Sequence, residues 1–367
     1  MANSICPEWT IGIPTFNRYE MLQQAVRSAI DQKLKPGVIL VSDNCSTDNT
    51  PQISCPDSSI KFSYYRQEVP VSALENFKSL LDRCETEYFS WLQDDDILYP
   101  SFSDLAIAPL EINPNAVAAV SYAFHSEDLL RIRFLHPRVW GPPAFEMDFK
   151  HGKPFHVPQY ALLPWLTDFM PGFSPVAIYR THALRAALEA MPSVSGYSNM
   201  LAEHYIMGKL NSIGDIIYIP AVLGVLRAHG HQETRKYSTF SAAEVAEANL
   251  DLYDFLEVCL SANSSCAEEF FEQNINVFTP PEVSHFYATL SSRQHAFSQL
   301  VANWILKHYR SVNQLTFTNE TNCAAQPKDS SALTLRSVAR EILPPISLRL
   351  LRAAKTMLNA NADTSQR

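Results

Sequence analysis

Apolar residues along the first hundred positions follow two alternating rhythms. WTIGIPTF, residues 9–16, is a compact apolar run that Pro14 brings to an end, and it predicts a strand. YEMLQQAVRSAIDQ, residues 19–32, spaces Met21, Leu22, Ala25, Val26, Ala29 and Ile30 at helical intervals. GVILVSDN, residues 37–44, predicts a second strand, and its uninterrupted VILV core implies burial on both faces. A polar stretch rich in capping residues, STDNTPQI, follows; ALENFKSLLDRC then predicts a helix and EYFSWLQ a third strand. Strand and helix in alternation predict an α/β sheet with much parallel pairing.

Later segments are less regular. Residues 130–180 are rich in proline and aromatic residues. HALRAALEAM and NMLAEHYIMGKLNSIG predict helices, and DIIYIPAVLGVLRAHG one or two short strands. From about residue 241 the pattern is mainly helical, in SAAEVAEANLDLYDFLEVCL and in PEVSHFYATLSSRQHAFSQLVANWILKHYR. Residues 318–332 form a polar linker, and the stretch after it is amphipathic and basic, with Arg336, Arg340, Arg349, Arg352 and Lys355, interrupted by Pro344 and Pro345. The predicted division is therefore 1–235, an α/β domain; 236–317, a helical extension; 318–332, a linker; and 333–367, an amphipathic basic segment. Such a segment suits either an anionic membrane surface or packing on protein.

Composition narrows the classes. The 367 residues are 46% apolar and 18% charged, and the net charge of −9 argues against nucleic acid as a partner. The seven cysteines are odd in number and contain no Cys-x-x-Cys pair, which points to a reducing compartment and away from a disulfide framework. The N-terminus has no signal-peptide pattern, and no uncharged apolar run reaches membrane-spanning length. A cytoplasmic protein is expected.

Three polar clusters, TFNR, SDNCSTD and QDDD, each follow a predicted strand. In open α/β sheets ligands bind beyond the strands' carboxyl ends, so the clusters converge on one rim. Consecutive Asp94, Asp95 and Asp96 repel one another unless a cation meets them, although aspartates also suit a solvated turn or a helix N-cap.

The segments TIGIPTFNR, AVRSAIDQ, ILVSDNCSTDNT, VSALENF, YFSWLQDDDIL and AEHYIMGKLNSIGDIIYIPAVLGVLRAHG resemble, in order, the motifs of family 2 glycosyltransferases, inverting nucleotide-sugar enzymes of the GT-A fold. The resemblance covers roughly residues 9–232. It implies a Rossmann-like nucleotide-binding sheet flanked by helices, with a mainly helical C-terminal extension. It implies a nucleotide-sugar donor, a saccharide or lipid-linked saccharide acceptor, and a divalent cation, Mn2+ or Mg2+. Bacterial surface polysaccharide assembly is the implied setting, in the cytoplasm or peripherally at the inner face of the membrane. Oligomeric state is left open.

Carried over by motif, Asp95 is the direct metal ligand and Asp94 lies nearer ribose and metal. Asp96 contacts donor sugar or supports the loop. Asp43 accepts from the base, and Pro14, Thr15, Asn17, Arg18, Ser46, Asp48 and Asn76 surround the nucleotide. Arg227 pairs with phosphate and His229 completes the metal shell or touches diphosphate, with His231 a weaker candidate. A capped turn starting a helix is the alternative for Asp43, Ser46 and Asp48, and capping or core packing serves equally well for Asn76. Two departures stand out. Gln93 replaces a frequent aspartate, and Glu203-His204 replaces a Glu-Asp pair whose aspartate is the usual base. Either Glu203 or His204 would take the acceptor's proton. Trp165, Asp168, Phe169 and Phe173 lie where acceptor-binding residues often occur. Rivals are a non-catalytic sugar-nucleotide-binding protein, an interaction scaffold, and a nucleotidyltransferase, which would want a glycine-rich phosphate loop that this chain lacks after its first strand.

Overall fold

The computed structural model describes residues 4–126, 154–166, 176–193, 201–227, 229, 240–275 and 280–309. Strand β1 (Ser4–Thr15) leads into α1 (Tyr19–Ile30), β2 (Leu34–Asp43), β3 (Lys61–Arg66) and α2 (Ala73–Asp82). Next come β4 (Tyr88–Trp91), the two-residue β5 (Ile97–Leu98), α3 (Phe102–Ile112), β6 (Ala116–Ser126) and β7 (Phe155–Val157). The remainder is β8 (Ala177–Arg180), α4 (Thr181–Ala190), α5 (Ala202–Ile213), β9 (Asp215–Arg227), then α6 (Ala242–Leu260), α7 (Ser264–Asn274), α8 (Pro280–Ser291) and α9 (Ala296–His308).

The nine strands form one mixed sheet in the order β3-β2-β1-β4-β8-β6-β9-β5, with β7 also pairing β9. Strands β3, β2, β1 and β4 run parallel, and β6 runs parallel to β9. The antiparallel members are β8, wedged between β4 and β6, and the short β5 and β7 against β9. Pro220 stands where β9 slips against β6, between the Ser121↔Ile219 and Tyr122↔Val222 pairs, as expected of a residue without a backbone N–H.

The apolar run in β2 is buried on both faces. Ile39 and Val41 join the core with α1 and α3, through Leu22, Val26, Phe102 and Leu110. Leu40 joins the opposite core, which α2, α4 and α5 share with α6–α9. That second core contains Leu80, Leu184 and Leu210 beside Leu252, Phe271, Phe297 and Trp304. Two reciprocal capping boxes start helices here, Ser72 with Glu75 on α2 and Ser241 with Glu244 on α6. Among the described residues no helix is long and apolar enough to cross a membrane.

Candidate active site

The polar clusters do lie on the carboxyl-terminal rim of the parallel strands. β1 ends at Thr15 beside Asp43, the end of β2, and β4 stops three residues before Asp94. Leu92 donates its N–H to Gly12 O, and a turn closed from Asp96 N–H to Gln93 O sends the chain into β5. β5 pairs Ile97 and Leu98 with Val225 and Gly224 of β9. The acidic turn is thereby tied to the end of β9, where Arg227 N–H donates to Asp96 Oδ1 at 3.1 Å.

All three aspartates are buried. Asp94 Oδ2 accepts from Thr15 Oγ1 at 2.7 Å and from Phe16 N–H at 3.4 Å. Arg18 Nη1 donates to Asp94 Oδ1 at 2.8 Å and to Asp95 Oδ2 at 3.0 Å. His229 Nε2 stands 2.9 Å from the same Asp95 Oδ2. Asp95 Oδ1 is buried and has no hydrogen-bond partner among the described residues. Desolvation pushes the carboxyl pKa values of Asp94 and Asp96 up, with the neighbouring Asp95 charge adding to both. Burial works against the charge on Arg18, but Asp94 and Asp95 outweigh it and its pKa rises. On Arg227 burial wins and the pKa falls.

A cavity of about 480 Å³ opens beside this cluster, of a size suited to a small-molecule ligand. Pro14, Thr15, Arg18, Asn76 and Asp94, which the resemblance assigned to the donor, line it, and so does Asp95, which it assigned to the metal. Phe16, Asn44, Phe77 and Gln93 line it too; they lie within the same sequence clusters, but no ligand role was assigned to them. Phe16 is 52% exposed, and its signal was an aromatic ring set between two motif residues, Thr15 and Asn17.

Asn17, Asp43, Ser46 and Asp48 are predicted site residues that do not line the cavity. Asn17, at φ 53°, receives Thr47 N–H on Oδ1 at 2.7 Å and gives its own N–H to Ser46 Oγ at 2.8 Å, clamping the first loop to the second. Asparagine is among the residues that tolerate this backbone region. Asp48 accepts Tyr19 N–H at the start of α1 at 3.0 Å. Asp43 is fully buried: Oδ1 accepts from Ser46 N–H at 2.8 Å, and Oδ2 accepts from Tyr64 Oη at 2.7 Å and from Arg66 Nη1 at 3.3 Å. It does not line the cavity. Asn76 receives Ser42 Oγ at 2.5 Å and Gln67 Nε2 at 3.2 Å.

Glu203 and His204 occupy the first turn of α5. The helix ends at Gly214, where a Cβ would meet Asn115 O at 2.4 Å, and the chain turns directly into β9. β9 then runs to Arg227, so the first turn of α5 lies toward the end of the sheet that carries the acidic turn. Glu203 is half-buried, and burial pushes its carboxyl pKa up to about 7. Its charge is felt by the buried Tyr179, whose ring stands 5.9 Å from that of Trp91, two residues before Gln93. Asp168, Phe169, Phe173, His231 and the basic segment 333–367 lie outside the described residues, as does the side chain of Trp165.

A second set of ligating groups, Asp254, Glu257 and His295, has donor atoms within 4.8 Å of one another. Phe297 N–H donates to His295 Nδ1 at 3.1 Å, which leaves the neutral ring's proton on Nε2, facing Asp254 Oδ1 at 2.6 Å. That tautomer has no lone pair for a cation, and His295 serves as the N-cap of α9.

The arrangement has relatives. Residues 10–174 match the family model described as glycosyl transferase family 2. Over that span the chain resembles family 2 glycosyltransferases. It is 32% identical over 96 residues to the GalNAc(5)-diNAcBac-PP-undecaprenol beta-1,3-glucosyltransferase of Campylobacter jejuni, covering 25% of this chain and 31% of that one. It is 23% identical over 243 residues to an uncharacterized glycosyltransferase of Rickettsia felis, covering 64% of this chain and 36% of that one. The chain thus spans about a third of the length of these curated relatives. Among solved structures, Staphylococcus aureus TarS aligns with TM-score 0.51 and 12% identity, over 84% of this chain and 55% of TarS. A TarS 1–349 structure aligns with TM-score 0.50 and 13% identity, over 84% and 90%. At such identities the likeness is one of fold, and it places the sheet in the GT-A class.

Proposed function

We propose that this protein is an inverting, hexosyl-type glycosyltransferase that moves a sugar from a nucleotide-sugar donor to an acceptor hydroxyl. The observation that carries the reading is Asp95 Oδ1, a buried carboxylate oxygen with no hydrogen-bond partner among the described residues, at the edge of the cavity. Such an oxygen is costly to bury unless a cation meets it. Carboxylate oxygens suit Mn2+ or Mg2+, and Asp95 and Asp94, with His229 beside them, would hold the ion. When bound, a divalent cation supplies positive charge against the departing diphosphate.

The chain's own groups do the rest. Phe16 offers an exposed ring for a base to stack on. Arg18, on the cavity wall, and Arg227 would pair with phosphate oxygens. Glu203, or failing it His204, takes the acceptor's proton as the hydroxyl attacks the anomeric carbon. The lipid-linked saccharide in the Campylobacter relative's name supports an acceptor of that class, in surface polysaccharide assembly at the cytoplasmic face of a membrane.

The test is a thermal-shift screen of nucleoside diphosphates with and without Mn2+. At least one should raise the melting temperature far more with metal present, and Asp95→Ala should erase that difference. A mutant that responds like the wild type sinks the assignment. Turnover of the matching sugar nucleotide, with NMR of the product anomer, separates transfer from binding alone and reads the inversion.

A further inference from the structure

The acidic turn already holds a cation of its own. One nitrogen, Arg18 Nη1, bridges Asp94 Oδ1 and Asp95 Oδ2 at 2.8 and 3.0 Å. Among the described residues the condition of three ligand atoms within 4.8 Å of one another is met by Asp254, Glu257 and His295, and not by Asp94, Asp95 and His229. The two carboxylates are bridged by the guanidinium, and with His229 they are not gathered as tightly as that other set. A hard divalent cation bound to both Asp94 Oδ1 and Asp95 Oδ2 would take the place that Arg18 Nη1 occupies between them, so the two compete for that position. Their like charges would also repel inside a buried site.

Arg18 is the N-cap residue of α1, and its guanidinium, which only donates, cannot cap the helix's N–H groups. The side chain is a quarter exposed and borders the cavity. Asp94 keeps Thr15 Oγ1 and Phe16 N–H on Oδ2 whatever Arg18 does. Losing the guanidinium thus does not strand that carboxylate.

Resting on the function proposed above, we propose that Arg18 is an internal competitor of the divalent cation. It neutralises Asp94 and Asp95 while the metal is away. It yields both carboxylates when metal enters, and its guanidinium then turns to the donor's diphosphate beside them. Metal and donor binding are coupled through this exchange, because the ion that anchors the phosphates also frees an arginine to meet them.

The exchange predicts effects of opposite sign in two binding measurements on the full chain. Mn2+ alone, titrated without nucleotide and followed by calorimetry or by EPR of the free ion, should bind Arg18→Gln on the order of tenfold more tightly than wild type. At saturating Mn2+, the nucleoside diphosphate that stabilises the wild type should bind Arg18→Gln more weakly. An arginine that merely positions the carboxylates would weaken both. Unchanged or weaker Mn2+ binding by Arg18→Gln overturns the proposal; if Asp95→Ala still loses Mn2+, the cation site itself survives. If neither wild type nor Arg18→Gln binds Mn2+, the cation site falls and the proposal with it. Should Arg18→Gln not fold, the wild type decides. Mg2+ without nucleotide should shift an arginine side-chain Nε–Hε resonance, and an unmoved arginine spectrum at saturating Mg2+ overturns the exchange.

Discussion

Glu203 shows what the choice of one side chain costs and supplies. With burial holding its carboxyl near 7, it is half ionised close to neutral pH, the range in which a general base works best. In the proposed role of base it must be ionised, so kcat/KM should climb with pH through about 7. Glu203→Gln should lose on the order of 10²–10⁴ in rate and lose that rising limb, while His204→Ala should keep it. Stability runs the other way. Its folded-state pKa lies above the ordinary 4.5, so the folded protein holds the proton more tightly than the unfolded chain does. The stability this lends is full at low pH and declines as pH rises from about 4.5 to about 7. Melting curves should therefore favour Glu203→Gln over wild type at pH 8 and not at pH 4; equal curves at both would mean the carboxyl is not desolvated. Residue types were legible in the sequence where a motif carried them, as in Thr15, Arg18 and the aspartates. Their partners were not. Arg18 meets Asp94 across 76 positions, and Asp43 is held by Tyr64 and Arg66 some twenty positions on, pairings that only the folded sheet creates.

At the scale of elements, β1, α1, β2, α2 and β4 were readable because each has a clear period. The edge strand β3 was not read, since its KFSYYR residues are only partly buried and give little apolar contrast. β5 is two residues long and exists only because β9 is there to pair it. PEVSHFYATLSSRQHAFSQLVANWILKHYR, one helical stretch by pattern, is two helices joined through residues 292–295. The β5–β9 pair deserves a mutation because it anchors the acidic turn. At Gly224 an added Cβ would meet Val176 Cγ2 at 2.6 Å and Ile97 O at 3.0 Å. Val176 is buried and the Ile97 carbonyl belongs to the backbone just after Asp96, so neither moves freely. Gly224→Ala should destabilise the fold by about 1–3 kcal/mol, the range for overpacked cores. Because the strain falls on the chain behind Asp96, it should also lower the Mn2+-dependent stabilisation by nucleoside diphosphate. Denaturant melts with and without Mn2+ and nucleotide measure both effects, and a variant that matches wild type in each would mean that β5 does not position the turn.

For the whole molecule, the sheet and the C-terminal helices depend on one another. Leu163, Leu188, Tyr205 and Leu210 share a core with Leu252, Leu256, Phe270, Phe286 and Phe297. The contact of α5 with α6 is close: Tyr205 and Phe255 pack edge to face at 5.0 Å, and a Cβ at Gly208 would lie 2.7 Å from Leu256 Cδ2. Cys266 on α7 also reaches the other part of the chain, donating to Gln159 O at 3.3 Å. Each large apolar side chain uncovered on one side of this seam forfeits roughly 1.5–3 kcal/mol of burial. Several such losses together approach the whole stability of an ordinary domain. Residues 1–235 produced alone should therefore aggregate or melt broadly and bind a dye for exposed apolar surface, while the full chain melts cooperatively. The same loss would reach the chemistry, because α5 carries Glu203 on its first turn and α6 packs on the face behind it. A 1–235 fragment that melts sharply at the full chain's temperature would instead make the helices an independent addition to a self-sufficient sheet.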